Sequence, residues 1–393
     1  MLDIFWYLPT QGDEHYLGIN QRRRKPTFEY LQQVAQAVDG LGYGGMLIGT
    51  GTKLDPWIVA AALIPVTRRL KFLIADRPSI KTPALAARMA ATFDQMSGGR
   101  VLFNIVTGGS TAQLESDGVF QDHDARYEIT DEYLEILLRL MHGETVTFEG
   151  KHLRIKNATQ GIAPVQQPHP PIYFGGSSPA ALLVAAKHAD VYLTWGEPPA
   201  QVEEKIAEVR ALAAKQGRTL RFGIRLYVIA RETEDEAWAA ADRLIQQVDD
   251  DTIARTRAAF STSESEGQRR MAALRPVSAS KRRTDLEISP NLWTGVSLAR
   301  GGAGTALVGS AENIAARIRE YADLGLETFV LSGYPGLEEA YNFAELVFPL
   351  LPINEQEAGF AITGGANIEL SGGGAHAVDL PAVPAVPAAN RPV

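Results

Sequence analysis

The chain has 393 residues, of which 45% are hydrophobic and 21% charged, and its formal net charge is −8. This composition is typical of a soluble globular protein of one large or two ordinary domains, and the negative charge argues against a nucleic-acid-binding protein. Because cysteine is absent, disulfides, a thiolate nucleophile and cysteine-ligated metals are excluded.

The sequence also disfavours membrane, secreted and metal-binding proteins. No apolar run approaches the ~20 residues that span a membrane, and the N-terminus lacks the basic region and cleavage site of a signal peptide. The seven histidines show neither an HExxH motif nor paired spacing. We therefore expect a cytoplasmic protein without a membrane segment or a metal site.

The first part of the chain alternates short apolar segments with amphipathic ones. Apolar runs predict strands at residues 2–7, 45–48, 70–75 and 101–106, and helical periodicity predicts helices at about 27–39, 57–66 and 83–98. A long loop is then expected to hold His123 and Tyr127, followed by a helix from about Asp131 to Met141. Residues 144–155 are typical of a small inserted hairpin.

The alternation continues beyond this hairpin. Strands are predicted at residues 172–174, 191–193, 221–230 and 328–331, with helices at about 179–188, 202–216 and 310–324. Thr233 and Glu236 predict a capping box for a helix that includes Trp238. The charged, serine-rich residues 249–290 break the pattern, which indicates either a functional lid or a disordered insertion. The Gly-, Ala- and Pro-rich residues 353–393 are expected to form a disordered tail.

Eight strands alternating with helices predict a (β/α)8 barrel, a TIM barrel, over residues 1–352. A doubly wound sheet is the alternative, but it would be expected to show a Gly-x-Gly-x-x-Gly turn after an early strand, and none is present. In a barrel, functional residues lie where the strands end. The polar or aromatic residues at or near such ends are Gln11, Arg77, Thr107, Ser177, Trp195, Arg225 and Tyr334.

A candidate anion site follows the predicted strand at residues 172–174. Gly175 and Gly176 allow close approach of a ligand, and Ser178 followed by Pro179 predicts the start of a helix. The free N–H groups and the positive end of that helix favour a bound phosphate. A well-capped helix after a tight turn is the alternative interpretation.

Arg77 and Arg225 near one barrel mouth favour an anionic substrate, because a guanidinium binds sulfonate, phosphate or carboxylate oxygens. Arg225 lies in an apolar strand, so a structural ion pair with an acidic neighbour is equally compatible with the sequence. Arg300, in a glycine-rich loop, is also compatible with a solvated side chain.

The aromatic candidates have two interpretations each. Trp195 is either a flat binding wall or core, and Tyr334 is either a proton donor or a packed ring. His123 and Tyr127 hold either a flat cofactor or each other. Since no catalytic triad or carboxylate pair stands out, the sequence favours chemistry carried by an organic cofactor.

Nine segments together resemble the FMNH2-dependent alkanesulfonate monooxygenases of the bacterial-luciferase-like group. The resemblance covers residues 1–352 in order, and as a set it is highly specific. The segments are FWYLPT at 5–10, NIVTGG at 104–109, DH and RYE within 122–128, YFGGSS at 173–178, YLTWGEPP at 192–199, FGIRL at 222–226, NLW at 291–293, RGGAGTALVG at 300–309 and LSGYP at 331–335.

This resemblance implies a two-component enzyme. FMN, reduced to FMNH2 by a separate NAD(P)H-dependent FMN reductase, would act with O2 to cleave the C–S bond of a sulfonate, giving sulfite and an aldehyde. A homotetramer is the usual assembly of the family.

The resemblance also implies roles for individual residues. Gly176, Ser177 and Ser178 would hold the FMN phosphate, and Thr107, His123 and Tyr127 would line the flavin. The sulfonate would contact Trp195, Arg225 and Tyr334, and Arg300 would join them when a lid at residues 249–290 closes and excludes water.

The chain departs from the family pattern at several pocket positions. Gln11, Tyr227 and Gly336 stand where histidines are usual, and Asn20 stands where a glutamate is common. The segment 50–57 is one residue shorter than usual and lacks the family's cysteine. We expect Gly336 to enlarge the pocket and these polar residues to suit a bulkier or hydroxylated sulfonate, such as the sulfosugar sulfoquinovose. Neutral drift in a tolerant pocket is the alternative.

Two other functions remain compatible with the sequence. One is a luciferase-like flavin enzyme that oxidises a non-sulfonate substrate, although Arg225 and Arg300 favour an anion. The other is a non-catalytic flavin- or sulfonate-binding relative that has lost the family histidines.

Overall fold

The structure, a computed structural model, describes residues 1–19, 23–51, 53–261, 263–275 and 280–354. Within these ranges the strands are β1 (Asp3–Tyr7), β2 (Gly45–Ile48), β3 (Lys71–Asp76), β4 (Val101–Ile105), β5 (Val146–Glu149), β6 (Arg154–Ala158), β7 (Ile172–Phe174), β8 (Val191–Trp195), β9 (Arg221–Arg231), β10 (Glu287–Ser289), β11 (Leu292–Trp293), β12 (Ala306–Ser310) and β13 (Leu326–Ser332). The helices are α1 (Phe28–Gly40), α2 (Pro56–Leu63), α3 (Pro83–Ser97), α4 (Thr111–Ser116), α5 (His123–Met141), α6 (Pro179–His188), α7 (Pro199–Lys215), α8 (Glu234–Ile245), α9 (Asp250–Ser261), α10 (Glu266–Ala273), α11 (Arg283–Leu286), α12 (Ala311–Asp323) and α13 (Gly336–Val347). Short 3₁₀ turns lie at Ile64–Val66, Pro78–Ile80, Gly295–Leu298 and Phe348–Leu350.

Eight of these strands close into a parallel barrel surrounded by helices. Hydrogen-bonded neighbours follow the order β1, β2, β3, β4, β7, β8, β9 and β13, and β13 pairs again with β1. The (β/α)8 barrel predicted from the sequence is therefore confirmed, with all eight predicted strands in it. Because every strand is parallel, their carboxyl ends meet at one mouth.

Apolar side chains fill both faces of the barrel wall. Phe5, Leu47, Leu73 and Val330 belong to a cluster inside the barrel. Their sequence neighbours point outward and pack under the helices, as Met46 does in a second and larger cluster. This burial on both sides explains why the strands read as continuous apolar runs rather than as alternating ones.

Local capping fixes where several helices begin. Asp55, Ser178 and Ser310 each accept a backbone N–H of the first helical turn. The predicted capping box at Thr233 and Glu236 is confirmed. These contacts supply partners for N–H groups that have none within the helix.

Strand β9 is 11 residues long and extends beyond the barrel. Its last part, Tyr227–Arg231, pairs in parallel with β12, which continues through β11 to β10 in antiparallel fashion. The sequence did not indicate this three-stranded extension. Its strands have only 2 to 5 residues, and the glycine-rich stretch before β12 suggested a loop.

Two expectations about irregular regions are corrected by the structure. Residues 123–130 are not a loop, because α5 begins at His123, where Asp122 caps it by accepting the N–H of Ala125. The 249–290 segment is not irregular where it is described, because it contains α9, α10, α11 and β10. Most of the expected tail, residues 355–393, lies outside the described residues.

Among the helices of the described residues, none is long and apolar enough to cross a membrane.

Candidate active site

Two adjoining cavities open at the carboxyl ends of the barrel strands. The smaller has a volume of about 400 Å³ and the larger about 1000 Å³. Their linings share Val106, Leu193, Trp195 and the glycines Gly301 and Gly302, so the two spaces meet along one wall. Both volumes lie in the range typical of small-molecule and cofactor sites.

Arg225 lies in the wall of the smaller cavity without an acidic partner. Its guanidinium donates to the carbonyl oxygen of Leu226 at 2.6 Å and to Oγ of Ser332 at 2.8 Å. Its central carbon lies 5.0 Å from the ring centroids of Tyr7 and Tyr227. In the described part of the chain, no carboxylate lies within 4.0 Å of it, so the alternative of a structural ion pair is not supported. The remaining donors of the fork are suited to an anion.

Tyr7, Tyr227 and Tyr334 also line the smaller cavity. The rings of Tyr227 and Tyr334 stack at 5.3 Å, and their hydroxyl oxygens lie 3.4 Å apart. Burial raises the pKa of Tyr334 well above its usual value, and Tyr227 raises it further despite the opposing charge of Arg300. Burial also raises the pKa of Tyr7, although Arg225 acts in the opposite direction. At neutral pH the hydroxyls of Tyr7 and Tyr334 are therefore neutral hydrogen-bonding groups.

Arg300 lies in the same cavity but is paired. Its Nη2 contacts Oε1 of the buried Glu14, and its guanidinium lies 5.5 Å from the ring centroid of Tyr334. Burial alone would lower the pKa of Arg300, but Tyr334 and Glu14 outweigh it and raise the pKa. The interpretation of Arg300 as a solvated side chain is therefore wrong.

The far wall of the smaller cavity contains an acidic residue that the sequence did not indicate. Asp13 is buried, and it accepts the backbone N–H of Gly336 at 2.8 Å and the hydroxyl of Tyr30. Burial raises the pKa of Asp13. A Cβ at Gly336 would lie 3.6 Å from Oδ2 of Asp13, so the missing side chain leaves space there. Gln11 lines the same cavity, and its side-chain Nε2 is buried without a hydrogen-bond partner in the described residues.

The larger cavity contains the glycine–serine turn that the sequence assigned to a phosphate. Gly176, Ser177 and Ser178 line it where α6 begins. Oγ of Ser178 accepts the N–H of Ala181, which leaves its hydroxyl proton free to be donated. A Cβ at Gly176 would lie 2.7 Å from that of Ala181, so glycine is required for this tight turn. The well-capped helix start is present, and the same turn lines the larger cavity.

The other three predicted cofactor residues lie in the same cavity. Thr107 follows β4, and His123 and Tyr127 occupy successive turns of α5. The rings of His123 and Tyr127 are 4.9 Å apart, and Nδ1 of His123 lies 2.8 Å from a carboxylate oxygen of Asp124. The two rings therefore contact each other and also line the larger cavity.

Comparison with known proteins identifies the family. The model for the luciferase-like monooxygenase family matches residues 2–328.

The chain belongs to the luciferase-like monooxygenase family.

Three solved structures with high overall similarity show the same fold at low sequence identity. A riboflavin lyase, RcaE, solved with modified FMN and riboflavin, is 20% identical over 89% of this chain and 91% of its own, with a TM-score of 0.72. The long-chain alkane monooxygenase LadA is 19% identical over 88% and 90%, with a TM-score of 0.71. DmoA from Hyphomicrobium sulfonivorans is 19% identical over 89% and 87%, with a TM-score of 0.71.

In this luciferase-like monooxygenase, described residues of the 249–290 segment, among them Phe260, Ser265 and Gln268, line the larger cavity. Oγ of Ser263 donates to the carbonyl of Gly109 at 3.2 Å. A Cβ at Gly267 would lie 3.3 Å from the ring of Trp195, so α10 packs closely on that indole. Arg270 contacts Glu197, which is fully buried and also pairs with Lys205. Burial lowers the pKa of Lys205, although Glu197 opposes this.

Arg77 was considered from the sequence as a site residue but does not join the site. Arg77 lines neither cavity and pairs with Asp117 and with Oγ1 of Thr50. Asn20, expected to line the substrate pocket, lies outside the described residues. Sequence reasoning missed Tyr7, Asp13 and Glu14. Tyr7 ends β1, a position that could have marked it, whereas Asp13 and Glu14 are ordinary loop carboxylates until the fold buries them.

Proposed function

We propose that this enzyme is a two-component monooxygenase that uses FMNH2 and O2 to desulfonate an aliphatic sulfonate for sulfur acquisition. The sulfonate, FMNH2 and O2 would yield an aldehyde, sulfite, FMN and water. The observation that carries this proposal is Arg225, a cation with no carboxylate partner among the residues that the structure describes, in a cavity that shares a wall with a larger cavity suited to FMN. The reaction rests on the sequence resemblance, and the fold and family are compatible with it.

The residues of the larger cavity fit FMN. Its volume accommodates a flavin nucleotide, and the turn at Gly176 offers backbone N–H groups and two hydroxyls at the positive end of α6. Thr107, His123 and Tyr127 would contact the ring system. When bound, reduced FMN supplies the two electrons that activate O2.

The smaller cavity would bind and orient the sulfonate. Arg225 would hold two of its oxygens, and the indole of Trp195 would form the wall next to the cofactor. The hydroxyl of Tyr334 keeps its proton at neutral pH and can donate it as a hydrogen bond to an oxygen of the substrate. The 249–290 segment, packed on Trp195, would exclude water during the reaction.

The lining favours a hydroxylated or bulky sulfonate, such as a sulfosugar. The unpartnered amide of Gln11, the carboxylate of Asp13 and the hydroxyl of Tyr227 can bind substrate hydroxyl groups. Gly336 leaves space beside them. Arg225 argues for an anion over a neutral substrate such as the long-chain alkane named for LadA, and the two cavities argue against a non-catalytic relative.

The partners would be an NAD(P)H-dependent FMN reductase and further copies of this chain. A separate reductase is required by the proposal, since the FMN must arrive reduced. A homotetramer is proposed from the sequence resemblance.

Sulfite release from a panel of linear and hydroxylated sulfonates tests the function. The assay contains a flavin reductase, NADH, FMN and air. We expect sulfite, with higher kcat/KM for a hydroxylated sulfonate than for C2–C8 alkanesulfonates. Faster turnover of a simple alkanesulfonate would reject the sulfosugar assignment, and absence of sulfite from the whole panel while FMNH2 still binds would reject desulfonation.

A further inference from the structure

A buried glutamine on α10 carries a hydrogen-bond donor that the protein leaves unused. Gln268 is 6% exposed, and its Oε1 accepts the backbone N–H of Gly302 at 2.8 Å. Its Nε2 is buried and has no hydrogen-bond partner among the described residues. The bond from Gly302 fixes the orientation of the amide, because only the oxygen can accept it.

The side of the larger cavity that carries Gln268 is where the two cavities meet. Gln268 lines the larger cavity, and its neighbours Gly301 and Gly302 line both. A Cβ at Gly301 would lie 3.3 Å from Oε1 of Gln268, so the glycine-rich loop packs directly on this side chain. Buried polar groups are nearly always hydrogen-bonded in folded proteins, and an exception requires an explanation. An acceptor on a bound ligand supplies one.

We propose that Nε2 of Gln268 donates a hydrogen bond to an acceptor atom of the flavin ring. The assignment rests on the proposed function, which puts FMN in the larger cavity. The ring carries carbonyl oxygens and ring nitrogens that accept such a bond, and the phosphate cradle at Ser177 and Ser178 lines the same cavity. Gln268 is therefore a cofactor-binding residue.

The contact also connects the cofactor with the substrate side of the site. While Nε2 of Gln268 donates to the ring, Oε1 of the same side chain accepts the N–H of Gly302, which is two residues from Arg300. Arg270, two residues further along the chain from Gln268, is fixed to the barrel by Glu197. A bound flavin therefore stabilises the arrangement of α10 and of the loop that carries Arg300.

Anaerobic titration of the full-length protein with FMNH2 tests this proposal. We expect Gln268→Leu, which lacks both the donor and the acceptor, to bind FMNH2 about tenfold more weakly than the wild type, as loss of one hydrogen bond implies. Arg269→Met is the matched control, because Arg269 is exposed on the same helix and its ionic partner among the described residues is Glu266. It should bind FMNH2 as the wild type does.

Gln268→Glu separates the donor from the structural bond to Gly302. The carboxylate still accepts the N–H of Gly302 but donates nothing until it is protonated. We expect its FMNH2 affinity to improve as the pH is lowered towards the pKa of the new carboxyl, relative to the wild type at each pH. The absorption spectrum of bound oxidised FMN should shift in both Gln268 variants.

The outcomes are distinguishable. If the wild type binds FMNH2 and both Gln268 variants match its affinity and spectrum, the proposal is overturned while the proposed function stands. An unchanged flavin affinity with a raised KM for the sulfonate would also overturn it, since the donor would then serve the substrate. If the wild type binds no flavin, the proposed function fails as well. If Gln268→Leu does not fold, the pH dependence of Gln268→Glu decides.

Discussion

At the scale of the residue, four arginines near the barrel mouth differ in whether a carboxylate neutralises their charge. Arg77, Arg231 and Arg300 pair with Asp117, Glu339 and Glu14 respectively. Arg225 instead lies between two tyrosine rings and donates to uncharged oxygens. A cation in such a position keeps its attraction for an anionic ligand, because no protein carboxylate competes for it.

Replacement of Arg225 by methionine should remove sulfonate recognition. Loss of a charged hydrogen-bonding partner corresponds to about 1.5–3 kcal/mol, so we expect kcat/KM for the sulfonate to fall by about 10- to 100-fold. FMNH2 affinity should be unchanged, because Arg225 lines only the smaller cavity. Steady-state sulfite release and flavin titration measure the two effects.

The matched control is Arg221→Met, at the start of the same strand. Arg221 is exposed and lines neither cavity, so its replacement should leave kcat/KM unchanged. A similar loss in both variants would assign the effect to the strand rather than to the cavity.

At the scale of the element, one carboxylate joins the β10–β12 extension to the helices around it. Oxygens of Glu234 accept from Nε1 of Trp238 at 2.7 Å, Nδ2 of Asn291 at 2.9 Å, the N–H of Ser310 at 3.0 Å and Nδ2 of Asn313 at 2.8 Å. These donors belong to α8, the turn between β10 and β11, and the start of α12. Glu234 thus fixes the positions of β11 and β12, the two strands that the loop with Arg300 connects.

Glu234→Gln should destabilise the protein by about 2 kcal/mol at pH 7, because two of the four N–H donors then face an amide NH2 group that cannot accept and the other two hydrogen bonds become neutral. Burial alone would raise the pKa of Glu234, but the donors from Asn313, Trp238, Ser310 and Asn291 outweigh it and lower the pKa. A lowered pKa in the folded state contributes stability above the unfolded-state pKa, and this contribution is lost as the pH falls through the folded-state value. The difference between variant and wild type should therefore shrink below about pH 4.

Urea denaturation of both proteins across this pH range measures the effect. Asp235→Asn, in the same turn but exposed, is the control and should change stability little at any pH. A difference between Glu234→Gln and the wild type that stayed constant from pH 7 to pH 3 would contradict the role assigned to the carboxylate charge.

At the scale of the whole molecule, the barrel brings the proposed phosphate cradle at Ser177 and Ser178 and the cation Arg225 to one mouth. The cradle follows β7 and Arg225 lies in β9, separated by about fifty residues of chain. Parallel strands in a closed barrel place their ends side by side regardless of that separation. The two adjoining cavities follow from this geometry.

Binding of FMN to the larger cavity should stabilise the folded protein. At a free concentration of 100 times Kd, the increase in the free energy of unfolding should be about 2.7 kcal/mol. Riboflavin at the same concentration should stabilise less, because it lacks the phosphate that Ser177 and Ser178 would hold. Urea denaturation with each ligand measures this, and equal stabilisation by both would contradict the assignment of the phosphate cradle.

Short-range patterns in the sequence were sufficient to predict the barrel strands and the turn at Gly176. Barrel strands buried on both faces produce apolar runs that need no tertiary information to recognise, and all eight were predicted. The turn at Gly176 and the cap at Ser178 are equally local, since a helix start depends on the residues beside it. The start of α5 at His123 was missed although Asp122, its cap, was visible in the sequence.

Other features were decided only by the tertiary structure, because they depend on residues distant in the chain. Whether Arg225 or Arg300 is paired depends on which carboxylates the fold brings close, and Glu14 is 286 residues from Arg300. Asp13 became part of a cavity wall only when it was buried against α13. The strands of the β10–β12 extension are too short to show a pattern, and they are stabilised by the end of β9 rather than by their own sequence.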